Sequence, residues 1–283
     1  MRSYGAPTSW CLVGTATGSG STASWTVPHP SQTIVHLDVD PQEPRRNYRA
    51  SIPLVADAKL GLEAVLSAVG ARSADPWAGD SLVRMEDRPF TEPAGDTVAL
   101  HPAAIVAEIQ RSVDDDTLVV ADAGYCAAWA LDALRFRAPG RRFLAPGGYG
   151  TLGYGLPAAI GAKLATPSAS VVCITGDGGV GFSLAELETA ARCGVGVTVV
   201  VLNNSALGWS HHYDRHFYGY EGQTRFTDVD YAAVARGLGC EGTRVTTIEA
   251  FAAAFTHAAT SKATTLLDVI TDPAARAPVV MFD

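Results

Sequence analysis

The sequence predicts an α/β protein built on a parallel sheet with helices on both faces, and three observations carry that expectation. Runs that are largely apolar, rather than alternating, recur at Thr117–Ala121, Ser170–Thr175, Val197–Leu202 and Thr264–Ile270. Such runs fit strands buried on both faces. Segments with helical spacing lie between them. The runs end in Asp122-Ala123-Gly124, Gly176-Asp177-Gly178 and Asn203-Asn204. Ligands of parallel sheets sit outside the carboxyl ends of the strands, and these ends are polar or glycine-rich.

Taken in order, Trp10–Gly14 is a short apolar run followed by a Gly-rich stretch, and Thr33–Asp38 is a β-branched run followed by Asp40-Pro41. Ala58–Val69 carries Leu60, Leu62, Val65, Leu66 and Val69 at helical spacing. Residues 1–72 therefore read as strand, loop, strand and helix. Over residues 73–97 Ser, Asp, Pro, Gly and Glu dominate and no period survives, which predicts a linker. From residue 98 the elements come regularly. A helix opens at His101-Pro102, with proline in its first turn, and runs to about Ser112. Gly155–Leu164 is a small-residue helix, and Leu184–Cys193 and Ile248–Ala259 are further helices.

Composition bounds the function. The 283 residues carry 21 Lys+Arg against 29 Asp+Glu, a net charge of -8, which argues against a nucleic-acid partner. No apolar run approaches the ~18 residues of a membrane span. Five scattered cysteines without a CxxC pair predict reduced thiols and a cytoplasmic location, with neither a disulfide frame nor a zinc site.

The chemistry concentrates at two strand ends. Gly176-Asp177-Gly178-Gly179 follows a strand and precedes a helix, so its backbone N–H groups can meet phosphate oxygens. Asp177 is a hard oxygen donor suited to Mg²⁺. From Gly176 to Asn204 inclusive is 29 residues, the length of strand end, helix and neighbouring strand end. That spacing predicts Asp177 and Asn204 on one rim. A third donor, a backbone carbonyl, would complete the protein's share of the metal shell.

These residues resemble the thiamine diphosphate (ThDP) enzymes of the acetolactate synthase and pyruvate decarboxylase type. The family's GDG…NN motif stands as Gly176-Asp177-Gly178…Asn203-Asn204, and Ile174–Trp209 matches throughout. Pro146–Gly161 resembles the segment that shapes the bent cofactor. The resemblance implies the ThDP-binding fold over residues 98–283, preceded by part of a Rossmann-like central domain. It implies Leu152 as the wedge under the cofactor, the Gly150 carbonyl as acceptor from the aminopyrimidine, and Asp122 and Gly124 in the diphosphate-side loop. Gly176, Gly178 and Gly179 would approach the diphosphate. Asp177, Asn204 and the Ala206 carbonyl would hold Mg²⁺.

The implied chemistry is lyase or transferase: decarboxylation of a 2-keto acid, or carboligation of what remains. The implied partners are that small-molecule substrate and either a second copy of the chain or a separate pyrimidine-binding subunit. The family's proton-relay glutamate belongs to a pyrimidine-binding domain that this sequence does not match, so no catalytic residue is assigned. The alternative expectation is an inactive remnant of such an enzyme. Asp38 and Asp40 are read as a strand-end turn in preference to a ribose site, and no residue supports FAD. Tyr213 stands where acetolactate synthase has tryptophan. His211, His212 and His216 are read as part of a substrate-side loop in preference to a zinc cluster. Glu186 and Glu188 are read as packing or contact residues in preference to a catalytic pair.

Overall fold

The computed structural model describes residues 9–29, 31–69, 99–136 and 140–278. The expected linker, 73–97, lies outside them. The chain forms two compact units, Met1–Pro89 with Val279–Asp283, and Phe90–Pro278.

The first unit holds a three-stranded parallel sheet in the order β1-β2-β3, from Ser9–Val13, Thr33–Asp38 and Ile52–Val55. Strand β3 has no counterpart in the sequence reading. Proline at its second position and two exposed side chains, Ile52 and Val55, hide its strand character. Helix α1, Ala58–Val69, forms where its period predicts. Its only buried residue is Gly61, where a Cβ would lie 2.7 Å from Leu37 Cδ1. Asp38 Oδ1 accepts from the Asp40 amide and Asp40 Oδ1 from the Gln42 amide, so both carboxylates close turns after β2.

The second unit is a six-stranded parallel sheet in the order β5-β4-β6-β7-β9-β8. Its strands are β4 Leu118–Ala121, β5 Phe143–Leu144, β6 Val171–Gly176, β7 Thr198–Asn203, β8 Glu241–Val245 and β9 Thr265–Ile270. Alternate residues feed two cores. Val119, Ala121, Val172, Ile174, Val200 and Leu267 pack under α2 Pro102–Ser112, α3 Tyr125–Ala133 and α9 Ile248–Thr260. Val120, Val171, Cys173, Val199, Val201 and Leu266 pack under α4 Gly155–Ala165, α6 Glu186–Arg192 and α8 Tyr231–Gly237. Both faces of the inner strands β4, β6, β7 and β9 are buried, which is why they read as largely apolar runs.

The order places the site. The chain leaves β4 for β5 on one side, then returns past β4 to build β6 on the other. Helix α3 after β4 covers one face, and α6 after β6 covers the opposite face. The carboxyl ends of β4 and β6 therefore flank a topological switch point, where a crevice opens.

Candidate functional site

A cleft opens at that crevice. Its walls include Gly124, Tyr125 and Trp129 after β4, Leu152, Gly176–Gly179 after β6, and Asn204–Ser210 in part after β7. No Lys or Arg is among its described lining residues, whereas Asp177 and Asp272 are.

Asp177 opens the five-residue helix α5, Asp177–Gly181, and is 2% exposed. Its Oδ1 accepts from the Gly178 amide at 2.8 Å and its Oδ2 from the Ala206 amide at 3.1 Å. Tyr231 donates its hydroxyl to the Asp177 carbonyl at 3.4 Å. Burial outweighs these bonds and pushes the Asp177 carboxyl up to about 6. Such a carboxylate gains from a cation beside it.

The chain after β7 turns sharply. Asn203 Oδ1 accepts from the Ser205 amide, Asn204 Oδ1 accepts from the Ala206 amide, and Ser205 is left-handed at φ 54. A non-glycine residue in that region costs roughly 1–2 kcal/mol, so the turn is held by its surroundings. It delivers Ala206 to Asp177. The two asparagines part company. Asn203 is buried and donates Nδ2 to Asp268 Oδ1 at 2.8 Å, while Asn204 lines the cleft. Asp268 also accepts from the Tyr231 amide, so it ties β9, β7 and α8 together.

Asp122 is fully buried and does not line the cleft. Its Oδ1 accepts from the Ala123 amide at 2.7 Å. Its Oδ2 accepts from the Gly153 amide at 3.2 Å and the Thr175 hydroxyl at 3.1 Å. It braces the floor, with Gly179 pressed against it. A Cβ at Gly179 would lie 2.8 Å from both Asp122 Oδ2 and Thr175 Oγ1, so this backbone approach requires glycine. Leu152 lines the cleft, whereas Gly150 sits in an exposed turn at φ 60 outside the lining. Gly124, Gly176, Gly178, Gly179, Asn204 and Ala206 all reach the cleft.

The histidines diverge. His211 Nδ1 pairs with the Thr224 hydroxyl at 3.1 Å, and His212 bridges Tyr125 and the Pro273 carbonyl. Both lie in α7, Gly208–Tyr213, and are buried. The adjoining π-helical turn Asp214–Tyr218 carries His216. Glu188 pairs with Arg192 on the exposed side of α6. Sequence reasoning missed Tyr125, Trp209, Thr175 and Tyr231 at the site. Tyr125 and His212 are 87 residues apart, and no local pattern joins them.

Burial lowers the proton affinity of both His211 and His212. The unfolded chain therefore takes up these protons first, as pH falls through about 6.5. Their contribution to stability is complete above that pH and is lost below it, towards the lower folded values. Calorimetric melting at pH 7.5 and 5.5 should show a smaller acid-induced drop in the His211→Gln/His212→Gln double variant than in the wild type. Equal drops would remove the histidines as the cause.

The fold and cleft define a doubly wound α/β domain with a ligand crevice at its switch point. Comparison with known proteins specifies it. The C-terminal TPP-binding domain of thiamine pyrophosphate enzymes matches residues 122–269, more than half of the chain. A probable acetolactate synthase large subunit of Methanocaldococcus jannaschii is 30% identical over 266 residues, covering 89% of this chain and 44% of that protein. The acetolactate synthase large subunit of Parasynechococcus marenigrum is 32% identical over 247 residues, covering 85% and 39%. The solved thiamine diphosphate-dependent 4-hydroxybenzoylformate decarboxylase of Rhodococcus jostii RHA1 matches with a TM-score of 0.71 at 26% identity, over 86% of this chain and 44% of that one. The chain belongs to the thiamine pyrophosphate enzyme family and contains its C-terminal TPP-binding domain. It spans less than half the length of these relatives. Among the described residues, no helix is long and apolar enough to cross a membrane.

Proposed function

We propose that this chain is the ThDP- and Mg²⁺-holding part of a 2-keto-acid decarboxylase or carboligase of the acetolactate synthase type. The observation that carries the metal is Asp177. It is a buried carboxylate in a cleft whose described lining has no Lys or Arg, and it lies beside the Asn204 turn. Asp177, the Asn204 amide oxygen and the Ala206 carbonyl form the hard oxygen set that Mg²⁺ takes, with phosphate oxygens and water filling the rest. The close floor at Gly179 fits a diphosphate laid against backbone.

When bound, ThDP supplies an electron sink for cleavage beside a keto carbon. The chain's own residues bind and orient. Asp177 and Asn204 would hold the metal, Gly178 and Gly179 would present backbone to the phosphates, and Leu152, with the Gly150 turn beside the cleft, would support the cofactor. Asp122 keeps the floor from shifting. The partners of this reading are a 2-keto acid and either a second copy of the chain or a pyrimidine-binding subunit. The names of the relatives support the acetolactate synthase type, and the decarboxylase neighbour supports the wider keto-acid class.

Titration calorimetry of ThDP into the full chain tests the metal role. Heat is expected with Mg²⁺ present and none after chelation. Equal binding in both conditions would overturn the metal assignment. An inactive chain that still binds ThDP would favour the remnant over the enzyme, and an assay of pyruvate consumption separates the two.

A further inference from the structure

The cleft has an electrostatic deficit that one divalent ion does not cover. Its described lining offers two carboxylates, Asp177 and Asp272, and no Lys or Arg. A diphosphate brings two to three further negative charges. One Mg²⁺, with the Arg276 guanidinium acting on Tyr125 and His212 from outside the lining, still leaves this collection net negative, so a further positive charge near the phosphates would be favoured.

The structure holds a group built to supply it. Tyr125 lines the cleft at the start of α3. Its ring stands at the metal end, because a Cβ on Gly208 would lie 2.8 Å from Asn204 Nδ2 and 3.4 Å from Tyr125 Cδ2. The Tyr125 hydroxyl is 2.9 Å from His212 Nδ1, and His212 Nε2 is 3.1 Å from the Pro273 carbonyl. A carbonyl only accepts, so Nε2 carries the proton in neutral His212. Nδ1 is then bare, and the Tyr125 hydroxyl must donate to it. In this state the phenol proton is directed at the histidine and away from the cleft.

We infer that Tyr125 and His212 form a proton-coupled anion clamp: when a diphosphate enters, His212 Nδ1 takes a proton from solvent, its new N–H donates to the Tyr125 oxygen, and the Tyr125 hydroxyl turns to donate to a phosphate oxygen. The inference rests on the reading of the cleft as a diphosphate site. One N–H bond forms at Nδ1, the solvent acid loses that proton, and the Nε2–H bond to Pro273 is kept throughout. The imidazolium supplies the positive charge, and the phenol carries it to the anion as a charge-assisted hydrogen bond.

The surroundings keep the clamp uncharged until then. Burial, Arg276, His211 and Arg215 all lower the proton affinity of His212, and only the Pro273 carbonyl raises it. These are the groups facing it: Tyr125 from α3, His211 from its own helix, Arg215 from the π-helical turn, and Pro273 and Arg276 from the segment after β9. An arriving dianion reverses the balance.

Calorimetry of the full chain with ThDP and Mg²⁺ at about pH 8, in buffers of different ionisation enthalpy, counts protons taken up on binding. A phosphate monoester ionises near pH 6, and Asp177 near 6, so neither contributes there. Wild type should take up close to one proton. His212→Gln and Tyr125→Phe should take up none and bind about tenfold more weakly, the scale of one charge-assisted bond. Both variants should show wild-type circular dichroism. Binding without proton uptake in the wild type would overturn the clamp while leaving the cofactor site intact. So would equal uptake in either variant. Absence of binding in every buffer would overturn the diphosphate reading, and the clamp with it.

Discussion

Asp177→Ala is expected to abolish ThDP·Mg²⁺ binding, weakening it by at least about 100-fold, because loss of a supporting residue around a metal already costs 10–100-fold and this residue is itself a proposed ligand. Three effects coincide at the position. The metal loses its only carboxylate among the proposed ligands. The Gly178 and Ala206 amides lose the acceptor that holds the GDG turn and the asparagine turn together. The cleft has no lining Lys or Arg to take over the phosphates. Asp177→Asn separates these effects, since it keeps an acceptor and volume but loses the charge. Its NH₂ meets one of the two amides that the carboxylate accepts from, so it should fold with a somewhat lower Tm than wild type and still fail to bind. Glu188→Ala is the control, because Glu188 pairs with Arg192 at an exposed helix face. Its binding isotherm should match wild type. Wild-type affinity in Asp177→Asn would remove Asp177 from the metal site.

The strand ends were legible because the chemistry demanded rare combinations in short windows. Glycine on both sides of Asp177, and a doubled asparagine closing a 29-residue span that opens at Gly176, mark places where backbone and oxygen donors must converge. The buried strands β4, β6, β7 and β9 were legible for the opposite reason, since burial on both faces keeps them largely apolar, with Asp268 in β9 the one charged residue among them. Strand β8 was not, because an edge strand reading Glu-Gly-Thr-Arg-Val alternates exposed and half-buried side chains and looks like loop. Helix α8 carried a usable signal that went unread: Asp230 caps it, accepting from the Ala233 amide at 2.8 Å. Helix α3 lacks a side-chain cap at Gly124 and packs mostly through alanines, so nothing local announced it. Within the site, the roles of Asn203 and Asn204 could not be told apart in sequence. Only the fold shows that Asn203 is spent on buried Asp268 while its neighbour faces the cleft. The Tyr125–His212 pair depends on the same closure, as it joins the segment after β4 to the segment after β7.

Asp122→Ala should produce the largest loss of stability among single changes at the cleft. The side chain is fully buried and accepts three hydrogen bonds, from the Ala123 amide, the Gly153 amide and the Thr175 hydroxyl. Truncation strands those donors in a site closed to water and leaves a void where the carboxyl group stood beside Gly155, whose ideal Cβ position is 3.3 Å from Asp122 Cγ. An orphaned buried donor costs about 1–3 kcal/mol, and the Thr175 hydroxyl can rotate towards the Gly176 carbonyl 3.1 Å away. The net cost is about 3–5 kcal/mol. For a chain of this size that lowers Tm by roughly 10 °C. Asp122→Asn should fall between the two, because its amide oxygen still accepts from one backbone N–H while its NH₂ meets the other. Asp116→Ala, at an exposed carboxylate 86% accessible and paired with Arg142, should leave Tm unchanged. Thermal unfolding of the four proteins under one condition checks the order. The same order should reappear in ThDP affinity, since Asp122 braces Gly153 beside Leu152 and Thr175 beneath Gly179. An Asp122→Ala protein that melts with the wild type would show that the floor of the cleft is held by the sheet alone.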